Sequence, residues 1–309
     1  MQALLDVILP VFLVLGLGYF AVRVKWFKDD WVDGLMKFTQ TFGIPMLLFR
    51  SVSHMDLAQD FDLRLLASFY SAAFVSFLAA CLGAHYLFRR PWPESVAVGF
   101  VGLFSNAVLL GLPIAERAWG PEVLPLIFTI IAFHSPFCYA VGITAMEIAQ
   151  NAGTGPAAAI RRILRTIFTN VFVIAIILGF VVNLTGLHLP VAVTDSVDML
   201  ARAALPVALF ALGGTLNRYR PEGDIRLILY VSGVSLLLHP ILTYALARGF
   251  GLEGNALRAA IATSAMAPGV NAFIFANMYG TARRVAASTI LVATALTMIT
   301  AWVWISILP

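Results

Sequence analysis

Ser105-Asn106-Ala107-Val108-Leu109-Leu110-Gly111-Leu112-Pro113 interrupts an apolar run that extends from residue 95 to 117. A run of that length approaches the roughly 20 residues needed to cross a bilayer core. Yet it carries an asparagine, a glycine and a proline near its centre. Proline removes a backbone donor and clashes with the preceding turn, and glycine loosens a helix. In hydrocarbon the freed backbone groups are costly unless protein or trapped water satisfies them. An amide side chain, with donors and an acceptor, suits that task. The stretch predicts a broken membrane-spanning helix. A second one is predicted at Ala267-Pro268-Gly269-Val270-Asn271-Ala272, inside the run 256–279.

The rest of the chain supports the membrane reading. Of its 309 residues 61% are hydrophobic and only 12% charged, whereas a soluble domain carries roughly 25% charged residues. Apolar runs separated by charge clusters and Pro/Gly breaks fall at 4–24, 33–53, 63–88, 95–117, 122–149, 162–186, 196–217, 225–248, 256–279 and 284–308. The fold class expected is an all-α membrane protein of ten transmembrane helices. The first run lacks a basic region before it and a small-residue cleavage site after it, so it reads as a span and not as a signal peptide. Cys81 and Cys138 both lie inside apolar runs and read as small buried residues.

Orientation follows from lysine and arginine. Fourteen of the twenty lie in or beside the odd-numbered loops, among them Arg89, Arg90, Arg161, Arg162, Arg165, Arg218 and Arg284. Six lie toward the other side: Arg50, Arg64, Arg117, Arg202, Arg248 and Arg258. The odd loops are then cytoplasmic and both termini outside, in a bacterial inner membrane. A net charge of +4 confined to short loops points to lipid headgroups as partner and not to nucleic acid.

The two halves echo each other at an offset of about 160 to 165 residues. Ile44-Pro45 to Phe49 matches Leu205-Pro206 to Phe210, and Leu63-Arg64 matches Ile225-Arg226. Asn106-Ala107 matches Asn271-Ala272, and Gly120 matches Gly280. Four matches in one order predict two five-span repeats, 1–150 and 160–309. An odd number of spans inverts the second copy, an arrangement that suits secondary transporters.

Asn106 and Asn271, with the helix-breaking Pro113, Pro268 and Gly269, are the candidate substrate-binding residues. Their structural alternative is to patch the kinked helices. His134, mid-span in the fifth run, is a candidate because burying a histidine in hydrocarbon is expensive. Tyr139 lies five residues on. Ordinary core packing is the alternative for both. His239 precedes Pro240 and is expected to bond a carbonyl that this proline frees. Arg50 and Arg202 are expected to snorkel toward headgroups. No phosphate loop, paired-histidine metal motif or nucleophile elbow is present, so no enzyme, cofactor or metal is expected.

The run Asn106 to Gly111-Leu-Pro113 resembles the fourth-helix motif of the auxin efflux carriers, a family that includes plant carriers and bacterial malate- and malonate-permease-like proteins. Pro268 to Asn271 with Ala276 and Tyr279, Ile44-Pro45 to Phe49, and Tyr139 followed by Glu147 are similar too. The resemblance covers essentially the whole chain. It implies crossing broken helices four and nine, as in sodium/bile-acid symporters. It also implies a scaffold of spans 1, 2, 6 and 7 beside a transport unit of spans 3–5 and 8–10. The plant carriers' long cytoplasmic loop is absent here. So are an Asp and a Lys early in their third helix, where Phe69 and Ser71 to Ala73 stand.

The expected function is carriage of a small organic anion, a carboxylate such as malate or malonate or an auxin-like acid, by alternating access. A sodium-coupled bile-acid-type symporter and a ligand-binding membrane sensor or channel are the alternatives. The coupling ion, H+ or Na+, and a homodimeric state stay open at this stage.

Overall fold

The computed structural model describes residues 4–55, 62–150, 161, 165, 169–220 and 222–308, so most of the connection expected between residues 151 and 165 lies outside the described residues. The described chain is helical. In order the helices are α1 (Leu9–Arg23), α2 (Asp29–Phe38), α3 (Ile44–Ser53), α4 (Leu63–Tyr86), α5 (Trp92–Leu103), α6 (Leu112–Trp119) and α7 (Leu124–Ala149). They continue as α8 (Val171–Thr185), α9 (Val191–Leu216), α10 (Ile225–Gly233), α11 (His239–Gly249), α12 (Gly254–Ser264), α13 (Val270–Met278) and α14 (Arg283–Ile307). Among the described residues six helical stretches are long and apolar enough to cross a membrane: Asp6–Arg23, Leu63–Tyr86, Pro121–Ala149, Val191–Leu216, Ile225–Gly249 and Arg283–Ile307. Val171–Thr185 is apolar but shorter. One side of α8 leaves Ile174, Ile177, Leu178, Val181 and Leu184 exposed. So large an uncovered apolar surface fits contact with lipid.

Prolines are absorbed in a regular way. Four π-helical turns, Leu4–Ile8, Thr39–Gly43, Ala107–Gly111 and Val234–Leu238, each lead directly into an x-Pro pair. Those pairs are Leu9-Pro10, Ile44-Pro45, Leu112-Pro113 and His239-Pro240. A proline lacks the N–H for an i→i−4 bond, and its ring collides with the carbonyl four residues back. Widening the preceding turn to i→i+5 bonding admits the ring without ending the helix. Pro45 and Pro240 therefore lie within otherwise continuous helical stretches. His239 does not find the carbonyl expected for it. Its ring instead turns to α4, where it approaches the backbone of Phe69 and packs against that ring with centroids 5.2 Å apart.

Matched positions of the two halves share local structure. Asp62 accepts the Arg64 N–H at 2.8 Å to cap α4, and Asp224 accepts the Arg226 N–H at 3.0 Å to cap α10. Gly120 and Gly280 both adopt left-handed backbone, with φ of 83° and 69°. Between the halves, α1 and α9 touch main chain to main chain. A Cβ on Gly18 would overlap the Phe210 carbonyl, and one on Gly213 would overlap the Leu15 carbonyl. Small residues permit this approach where no hydrophobic force drives helices together.

Candidate functional site

Helix α5 ends at Leu103 and α12 ends at Ser264, and the segments that follow meet. The Asn106 N–H donates to the Ala267 carbonyl at 2.8 Å, and the Gly269 N–H donates to the Phe104 carbonyl at 2.8 Å. Ser105 and Pro268 face each other between these bonds as an antiparallel bridge. In such a pair the directly opposed residues exchange no bond of their own. The donor that Pro268 lacks is thus not missed. A π turn and α6 start on one side of the crossing, and α13 starts on the other. Asn106 precedes the first, while Gly269 precedes α13 and Asn271 lies in its first turn.

Asn106 divides its amide between two tasks. Its Oδ1 accepts the Leu109 N–H at 3.2 Å and so caps its own half-helix. Because that partner is a donor, the oxygen must face it, and the NH2 faces away. Asn106 is 5% exposed, and Nδ2 has no hydrogen-bond partner among the described residues; nor does the Ser105 hydroxyl. A small cavity of about 40 Å³ opens here. Asn106, Ser105, Phe104, His134, Gly269 and Asn271 line it, together with Gln40, Ser135 and apolar neighbours, and no charged side chain does.

His134 serves the crossing itself. Its Nε2 lies 3.2 Å from the Ser105 carbonyl, which can only accept, so Nε2 carries the proton. Nδ1 is then the acceptor, 3.8 Å from the Cys138 sulfur. The histidine is thus engaged with backbone in this conformation. Tyr139 is not in the small cavity. It lines an adjoining space of about 300 Å³ with Asn271, Gln40, Thr41, Ser135 and Asn170. Its ring packs 5.4 Å from Phe100, which itself stacks on Phe275 at 4.0 Å. Pro268 forms the bridge. Pro113 is not brought to the crossing, and it lines a different cavity at the far end of α3 and α6.

Gln40, Ser135, Ser105 and Asn170 join the cavities without having been singled out from sequence. Gln40 carried the same signal as Asn106, an amide inside an apolar span. Asn170 caps α8, where its Oδ1 accepts the Phe172 N–H at 2.9 Å. Gln40 and Val270 also line a wider space of about 500 Å³, whose rim holds Arg218, Arg220, Arg283 and Arg284. Arg218 is committed to Asp29 and Asp33 at 3.1 and 2.6 Å. No group of three or more metal-ligating side chains occurs among the described residues.

The family model described as "Membrane transport protein" matches residues 3–147 and 147–305. Among relatives, a Rhizobium meliloti protein named "Putative malonate transporter" is 26% identical over 97% of this chain and 94% of its own. The Escherichia coli protein named "Uncharacterized transporter YfdV" is 22% identical over 96% and 95%. "Auxin efflux carrier component 5" of Arabidopsis thaliana is 23% identical over 89% and 88%. With matches over nearly its full length and a helical fold rich in apolar spans, this chain is a multi-pass transporter and not an enzyme, and it belongs to the membrane transport protein family, that of the auxin efflux carriers.

Proposed function

We propose that the chain is a secondary carrier for a small organic anion, working by alternating access at the crossing of two broken helices. The observation that carries this reading is the Nδ2 of Asn106, buried, unpartnered and at the wall of the crossing cavity. A buried amide donor left without an acceptor is unfavourable, and a carboxylate oxygen would supply one. A hard cation such as sodium favours several oxygen ligands, carboxylates among them, and no carboxylate lines this cavity, which weighs against the sodium-coupled alternative at this position.

Two half-helices start at the crossing, and each N-terminus acts as roughly half a positive charge. Together they balance about one carboxylate without an arginine held unpaired in the empty state. The name of the Rhizobium meliloti relative makes malonate the first acid to test.

In this reading the ten apolar runs are ten spans in two inverted repeats, with spans 1, 2, 6 and 7 as scaffold and spans 3–5 and 8–10 as transport unit. Both termini lie outside a bacterial inner membrane. The rim of Arg218, Arg220, Arg283 and Arg284 is then cytoplasmic, and Gln40 and Val270 line both the crossing cavity and the space under that rim. A cavity of about 40 Å³ holds only a water or two, so a substrate requires the walls to move.

Counterflow of labelled malonate in proteoliposomes tests the reading, comparing the diacid with its monoamide and wild type with Asn106→Asp. Saturable exchange of the acid, weaker for the amide and lost in the variant, is expected. Equal exchange of acid and amide with Asn106→Asp active would overturn the anion model. Exchange that requires sodium would favour the symporter, and absence of counterflow a sensor or channel.

A further inference from the structure

A second cavity, of about 360 Å³, lies at the far end of the helices from the arginine rim and shares no lining residue with the crossing. Its volume falls in the range of small-molecule sites, about 300–1,000 Å³. One wall is apolar, made by Val14 of α1, Leu47 of α3, and Leu205 and Leu209 of α9. The rim carries three guanidiniums, Arg50, Arg117 and Arg202, and one carboxylate, Glu116.

These arginines are incompletely matched. Arg50 Nε lies 2.8 Å from Asp198, and Arg202 reaches the same carboxylate only at 4.0 Å with 77% of its side chain exposed. Arg117 donates to a neutral group, the backbone carbonyl of Asp6, at 2.6 Å. The lining itself thus holds three cations and one carboxylate, Glu116, beside an apolar wall, with Asp198 next to Arg50 and Arg202 and Asp6 next to Arg117. Arginine forks match the two oxygens of a phosphate or carboxylate. Headgroup snorkelling explains one such arginine. It does not explain three arginines from three elements converging on a cavity large enough for a ligand.

We infer that this cavity binds an anionic amphiphile, with a phosphate or carboxylate head on Arg50, Arg117 and Arg202 and an alkyl chain along Val14, Leu47, Leu205 and Leu209. A membrane lipid and a free fatty acid both have this chemistry. The site touches neither Asn106 nor Asn271, and its test reads lipid retention, which can succeed or fail whatever the outcome of the transport assay. An occupant bridges α1, α3 and α9 to α6, the helix that follows the Asn106 turn.

Native mass spectrometry of the full-length protein in a neutral detergent tests the inference. The probes are phosphatidylglycerol, phosphatidylcholine, decanoate and glycerol phosphate. Wild type is expected to retain phosphatidylglycerol over phosphatidylcholine. Arg202→Gln, an exposed change that leaves the Arg50–Asp198 pair in place, should cut that preference about fivefold, the effect of one arginine near a lipid head. Val14→Phe should fill the wall and weaken retention, while Arg283→Gln at the other end and Asn106→Ala at the crossing should leave it unchanged. Displacement by decanoate would name the free fatty acid as an equal occupant, and resistance to it would name the lipid. Equal retention of both lipids, no effect of Arg202→Gln, or displacement by glycerol phosphate at the same concentration as by lipid would overturn the inference.

Discussion

The main-chain amide of Asn106 reaches the carbonyl of Ala267 at 2.8 Å, so the two halves of the chain are hydrogen-bonded at the point where each helix breaks. The side chain of the same asparagine looks both ways, its oxygen toward Leu109 and its nitrogen toward the cavity.

That division separates folding from transport. Asn106→Ser keeps an oxygen able to cap the half-helix and loses the NH2. It should melt close to wild type while transport falls at least tenfold. Asn106→Ala should lose transport and also about 1 kcal/mol of stability, the usual worth of an N-cap. Thermal unfolding in detergent beside counterflow checks both. Equal transport by Asn106→Ser and wild type would make the residue a cap alone.

The α1–α9 contact predicts a contrast between glycines. A Cβ on Gly213 meets the Leu15 backbone, which cannot swing aside as a side chain can. Gly213→Ala should therefore destabilise by several kcal/mol or fail to fold, at or beyond the upper end of over-packing, about 3 kcal/mol. Gly34, inside α2, has nothing near the place of its Cβ. Gly34→Ala should stabilise by about 0.5–1 kcal/mol, because glycine is a poor helix former. Melting temperatures of the two variants decide it.

Asn183 of α8 sends its Nδ2 to the end of α3, 2.8 Å from the Met55 carbonyl and 3.1 Å from that of Val52. The last carbonyls of a helix lack partners within it, and here another helix supplies one. Asn183→Leu keeps the volume and strands those acceptors. A loss of about 1–3 kcal/mol is expected, read as a lower melting temperature. No change would show that solvent replaces the amide.

The paired helix caps predict acid sensitivity. The Arg64 side chain, bonded to Asp62, holds that carboxyl below its reference value of 3.8. A carboxyl lowered in the folded state contributes stability above the reference value and loses it as pH falls through the lowered one. Asp62→Asn should flatten the pH dependence of melting below about pH 4 and leave it unchanged at pH 7. An unaltered acid limb would make the pair irrelevant to stability.

Orientation is testable on a background without Cys81 and Cys138. Glu253→Cys should react with an impermeant maleimide from outside intact cells, and Glu222→Cys only after permeabilisation. The reverse pattern would invert the assignment of the cytoplasmic face.

What the sequence reveals here tracks how local the physics is. Asn106, Pro113, Pro268 and Gly269 announce broken helices because a polar or helix-breaking residue is conspicuous in an apolar run, and breaks occur at both places. The grouping around the breaks is not local. Pro113 is eight residues beyond Ser105, and the turn and a half of helix between them carries it to the opposite cavity. His134 stands out as a buried polar residue, yet its partner is a backbone carbonyl from another helix, which no pattern of side chains encodes. Gln40 does not stand out in the same way, because a single amide near the start of a span, with no glycine or proline beside it, also suits an interface. The shared caps Asp62 and Asp224 sit one position ahead of the matched Leu63-Arg64 and Ile225-Arg226 pairs. They were readable and strengthen that match.

The bonds that fix the crossing run from main chain to main chain, through the amides of Asn106 and Gly269 and the carbonyls of Ala267 and Phe104. Such a joint is indifferent to what most of its side chains are. Mutational drift can therefore replace the cavity-facing groups at 104, 105 and 271 while the frame that displays them stays in place. One scaffold can be retuned from one small acid to another without being refolded around each.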